Sequence, residues 1–107
     1  MTAYKLLRIR RDGSLGPLFV DRGLRFKADY WHIAREDCKH PGLAHRPGFH
    51  CCTKPEAPHI KLRLKNGEVR VWCRVQIMCY TKHVRPEAQG GVWYTAKYMQ
   101  ILERIST

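Results

Sequence analysis

A chain of 107 residues has room for one hydrophobic core and not for two, and an apolar fraction of 44% excludes a disordered polymer. Twenty Lys and Arg against nine Asp and Glu leave a net charge of +11, a self-repelling excess whose usual counterweight is nucleic acid, an acidic protein surface or anionic lipid. No run of about 18 apolar residues is present to make a membrane-spanning helix. The start of the chain shows no apolar signal-peptide core, so a cytoplasmic location, without a membrane, is expected. An odd count of five cysteines argues for thiols or metal ligands over a disulfide framework.

Tyr4 to Arg10 reads as a first strand whose facing is unclear, because Leu6 and Ile9 do not alternate. Asp12-Gly13 is a turn, and Leu15 to Val20 a second strand with Pro17 confining it to an edge. Leu24 to Ala28 alternates apolar and basic residues as a short strand would. Asp29 to Arg35 is the best candidate for a short helix: Asp29 is placed to cap it, and Tyr30, Ile33 and Ala34 fall at helical spacing. Residues 36–58 are broken by Pro41, Gly42, Pro47, Gly48, Pro55 and Pro58, and no element is expected to run far there.

His59 to Leu64 alternates, Asn66-Gly67 is a strong hairpin signal, and Val69 to Met78 gives the clearest pattern in the chain. Val69, Val71, Cys73, Val75 and Ile77 share the face expected to be core. Arg70, Trp72, Arg74, Gln76 and Met78 share the other. Cys79 to Gly91 reads as a second polar loop, Val92 to Lys97 as a strand, and Tyr98 to Ile105 as a closing strand. Trp31, Trp93, Tyr94 and Tyr98 read as core or core rim. The fold class expected is a single α+β domain, 1–107, mostly antiparallel sheet with one short helix and two long loops.

Two surfaces carry candidate chemistry. The first is the basic sheet face. If the strands around Asn66 pair, Lys61, Arg63, Arg70 and Arg74 surround Trp72, and cations around an exposed ring suit phosphates and a stacked base. Arg46, Lys54, Lys82, His83 and Arg85 would extend it from the loops. The second is the stretch Ala44 to His59, AHRPGFHCCTKPEAPH, which holds three of the six histidines and two of the five cysteines. His45, His50 and His59 with Arg46 would offer acid/base groups and a cation for a phosphorylated nucleotide, and Cys51 or Cys52 would be a nucleophile if a neighbour lowered its pKa. Cys38, His40, His50 and Cys51 are the zinc candidates, but their spacing lacks the paired two-to-four-residue gaps of structural sites. No nucleophile elbow, paired carboxylates or phosphate loop is present. A non-enzymatic binder of an anionic partner, without a cofactor, is therefore favoured over an enzyme, and a pocket that sequesters or processes a nucleotide is the alternative.

The segments YKLLRIRRDGSLGPLFV, HRPGFH, APH, VWCRV and RPEAQGGVWYTAK together resemble small proteins encoded by phages and prophages of gut bacteria, along most of the chain. Phe49 stands where that histidine motif has Trp. The resemblance implies an accessory gene acting on host defence, in the manner of an anti-CRISPR antagonist. Its target would be nucleic acid or a ribonucleoprotein effector. It carries no catalytic residues to transfer. A weaker similarity, to the β-rich fold of ADP-ribosyl-transferring enzymes, offers no matching Arg/His, Ser/Tyr and Glu positions.

Overall fold

The structure, a computed structural model, describes residues 1–17, 25–34, 48–55, 62–63, 65, 67–89 and 91–105. These residues form one mostly antiparallel sheet of six strands: β1 (Thr2–Ile9), β2 (Leu15–Gly16), β3 (Trp31–Ile33), β4 (Phe49–Cys52), β5 (Val69–Val84) and β6 (Val92–Arg104). The pairing runs in a ring. β1 pairs with β5, β5 with β6, β6 with β4, and β4 returns to β1 through Tyr4 and Cys52. Lys5 reinforces that last, short contact by donating from Nζ to the His50 carbonyl at 2.8 Å. Closing the ring gives otherwise open edges a partner. No helix among the described residues is long and apolar enough to cross a membrane.

The expected inward face of β5 is the core: Cys73, Val75 and Ile77 are fully buried with Ala3, Leu7, Met99 and Ile101, and Val71 packs against them. The Leu6–Leu7 doublet that spoils the alternation of β1 has a simple cause. Leu7 enters this core, while Leu6 enters a second cluster on the opposite face with Trp72, flanked by Tyr4, Cys52 and Ile105. The Asp12-Gly13 turn forms as expected, with Gly13 at φ +86° and Ser14 donating to the Asp12 carboxylate.

The short helix is not found. Trp31–Ile33 is a strand, paired with Tyr98–Gln100 of β6. Asp29 adopts φ +58°, a turn conformation and not that of a cap. The open edge of β6 supplies three backbone partners that an isolated turn of helix cannot match, and Trp-His-Ile is β-prone. The only helical piece described is the three-residue 3₁₀ turn Glu87–Gln89. Phe26 makes a single bridge to Leu15, and Ala28 a single parallel bridge to Ile101, so Leu24 to Ala28 is no ladder strand. The expected polar loop Cys79 to Gly91 is also shorter than read, since β5 continues to Val84. Around the Asn-Gly turn, Arg63 bridges Val69 and the Arg70 amide donates to the Leu62 carbonyl at 2.8 Å, as a hairpin requires.

The length of β5 hides a reset. Ile77 pairs with Met99, and Tyr80 with Ala96; Ile77, Met99 and Ala96 are all core. Inward positions therefore fall an odd number of residues apart, which an unbroken strand does not allow. The step is taken at Cys79, whose φ is +53°, and the ladder passes over Cys79 and Lys97. A left-handed non-glycine residue costs on the order of 1–3 kcal/mol. Ile77→Ala is expected to lower unfolding free energy by about 2–5 kcal/mol, whereas Val84→Ala, 77% exposed, should change it by less than about 0.5 kcal/mol. Urea denaturation of both variants measures the contrast.

Candidate anion-binding site

The basic face around Trp72 is not an open platform. Trp72 is 4% exposed, packed on Leu6. Burying an indole of ~200 Å² at ~25 cal/mol/Å² returns about 5 kcal/mol, more than the ~1–3 kcal/mol available from stacking a base. The ring is therefore a packing element, and its expected stacking role is corrected here. Arg70 Nε lies 3.2 Å from Glu68 Oε2, with side chains 8% and 11% exposed. Turning Arg70 outward would break this largely buried ion pair, which is costly. Arg74 pairs with Glu103 at 3.1 Å, but both are well exposed, so that pair is weak and open to exchange. Arg63 and Lys54 are exposed. Lys61, Arg46, His45, His59, Cys38 and His40 lie outside the described residues.

The structure instead assembles a cluster on the outer face of β4, β6 and β5. Alternation along β4 puts Phe49 and Cys51 inward and His50 and Cys52 outward. In register, His50 pairs with Thr95, Cys52 with Trp93, and His83 with Trp93. The His83 ring stacks on Trp93 at 4.5 Å between centroids and 28°, and the His50 ring tilts against it at 5.0 Å. The Arg85 guanidinium carbon lies 5.1 Å from the Trp93 centroid. His83 Nε2 is 2.9 Å from the Thr95 hydroxyl. Two imidazoles and a guanidinium thus meet on one indole that is itself 8% exposed. Cation–π attraction and ring stacking hold the guanidinium and the two imidazoles side by side on the indole.

The thiols beside this cluster are poor nucleophiles. Burial pushes the Cys51 thiol up to about 11 from 9.0, partly offset by the nearby Lys5 ammonium. Burial also raises Cys52, with Arg85 and Lys5 pulling it back. The lowered pKa that a Cys51 or Cys52 nucleophile needs is therefore absent. Burial in turn depresses Lys5. His50 and Cys51, adjacent on β4, point to opposite faces and cannot chelate one ion together. Among the described residues no group of three or more His, Cys, Asp or Glu is placed to hold a metal.

The sequence offers His50 as a candidate and His83 and Arg85 as loop cations extending the basic face around Trp72; it gives Thr95 no site role and reads Trp93 as core or core rim. The signal for them is alternation: His83 and Arg85 share one strand phase, as do Trp93 and Thr95. It was masked by reading residues 79–91 as loop. No family model, curated protein or solved structure matches the chain.

The raised thiols give stability a pH dependence. Cys51 and Cys73 each go from 9.0 to about 11 on folding. The folded state favours the protonated thiol, so this contribution is complete below pH 9 and is lost as pH rises toward 11. The stability advantage of the wild type over Cys51→Ala in urea is expected to shrink across that window; an advantage constant from pH 8 to 11 would contradict the assignment.

Proposed function

We propose that this protein is a non-enzymatic binder of a phosphate-bearing partner, a nucleotide or nucleic acid, and that the partner docks on the outer face of β4, β6 and β5. The observation that carries this reading is the convergence of His50, His83 and Arg85 on Trp93. Imidazole and guanidinium donors fixed side by side are suited to phosphate oxygens. Arg85 also reaches Cys52, whose thiol it pulls back from the rise that burial causes. Lys54, exposed just past β4, would lengthen the contact, and the +11 charge would speed encounter with a polyanion.

This reading joins the two expectations from the sequence. The chemistry is that of the anionic partner, and the location is the histidine stretch, through His50. In the setting that the phage resemblance implies, the partner is a nucleic-acid-containing host defence complex, and occupying its phosphate-rich surface would inhibit it.

The test compares two double variants in binding to a single-stranded oligonucleotide across a salt series. His50→Ala with Arg85→Gln is expected to weaken affinity at least tenfold and to reduce the slope of log affinity against log salt by about 0.7, one lost phosphate contact. Arg63→Gln with Arg74→Gln removes more formal charge, yet should weaken affinity by less than about threefold, as screened surface charges do. The opposite ranking would return the interface to the face around Trp72.

A further inference from the structure

The reset at Cys79 leaves a hole in the sheet. Where the ladder passes over Cys79 and Lys97, a cavity of about 120 Å³ opens, lined by Gly48, Cys79, Thr81, Thr95, Ala96 and Lys97 along with Ala34. We infer that this cavity is a terminal-phosphate pocket: it takes a phosphate monoester at the end of a nucleotide or a strand, while the body of the partner lies over the His50–Trp93–His83–Arg85 cluster. The inference rests on the proposed function and deepens it, because it names the chemical group that is read.

Size, charge and connection point the same way. The cavity, about 120 Å³, has room for a tetrahedral oxyanion. Among the described residues the lining holds one cation, Lys97, and two hydroxyls, Thr81 and Thr95, with no carboxylate. Thr95 is the one buried polar side chain of the described core, at 8% exposure. Its hydroxyl oxygen meets His83 Nε2 at 2.9 Å. When that ring nitrogen carries hydrogen, it donates to the Thr95 oxygen and frees the Thr95 O–H to donate into the cavity. Thr95 therefore links the cavity to the cluster.

The walls are built to stay open. Gly48 sits at φ +113°, and a Cβ there would come within 2.9 Å of the Ala96 carbonyl oxygen, so only glycine lets β4 begin flush against β6. Cys79 holds its left-handed backbone at the rim without being glycine, and strain of this kind collects at ligand sites. An internal phosphodiester carries a chain on both sides of the phosphate, whereas a monoester enters end-on and presents three oxygens to Lys97, Thr81 and Thr95.

The experiment compares one oligonucleotide sequence in three forms, 5′-phosphorylated, 3′-phosphorylated and unphosphorylated, on the wild-type protein, Lys97→Gln and Thr95→Val. One phosphorylated form is expected to bind the wild type at least tenfold tighter than the unphosphorylated form, and which end does so identifies the source of the monoester. That ratio should fall toward one in both variants, with binding of the unphosphorylated form nearly unchanged in Lys97→Gln, which lies outside the cluster. Equal wild-type affinity for all three forms overturns the pocket and leaves the broader reading standing. A ratio that survives both variants also overturns it. Failure of every form to bind overturns the broader reading itself.

Discussion

The hairpin of β5 and β6 is the constraint on which the molecule depends. Strands of 16 and 13 residues run along each other, and β1, β3 and β4 are each placed by one of them. β1 lies on the first half of β5. β4 and β3 share the free edge of β6, one after the other. Two irregularities prevent this long ribbon from being flat. One is the bulge between Arg74 and Val75. The other is the reset at Cys79. A flat ribbon of this length would expose one apolar face. Bending it lets β4 reach back to β1 and enclose Ile77, Met99 and Ile101 in a single core.

The same irregularity prepares the site. Past Cys79 the phase of β5 has changed, so Thr81, His83 and Arg85 stand on the side of His50 and Cys52. The cost of the left-handed cysteine and of the skipped pair is met by the closed core around it. A cluster on rigid strands is held more tightly than one on loops, which suits recognition of a small anion by fixed donors. The cations of the other face serve the fold: Arg70 neutralises Glu68 beside the Asn-Gly turn, and Arg104 ties the end of β6 to the Gly13 carbonyl at 2.8 Å.

Strict alternation made the core legible. Val71, Cys73, Val75 and Ile77 could be assigned from the 69–78 pattern alone, and so could the Asp12-Gly13 turn. What could not be read was anything decided by distant partners. Trp31-His32-Ile33 carries a helical spacing, and its strand state comes from the edge of β6. Trp72 looks outward by phase, and Leu6 with Ile105 bury it from the second side. The phase change at Cys79 has no local signature, since no glycine or proline marks it, so the strand beyond it reads as loop, and His83 and Arg85 read as loop cations serving the face around Trp72 and not as partners of Trp93.

The three tryptophans stand at three separate places in the sheet, on β3, β5 and β6, which makes them reporters of the binding face. Trp31 lies on exposed β3, Trp72 beneath the Arg70–Arg74 face, and Trp93 within the His50–His83–Arg85 cluster. The most direct measurement is a titration of the ¹⁵N-labelled protein with a terminally phosphorylated single strand, following the three indole N–H signals assigned by Trp→Phe variants. The account predicts that the Trp93 signal moves first and furthest, with Trp72 and Trp31 nearly still. Movement led by Trp72, with Trp93 unmoved, would contradict it.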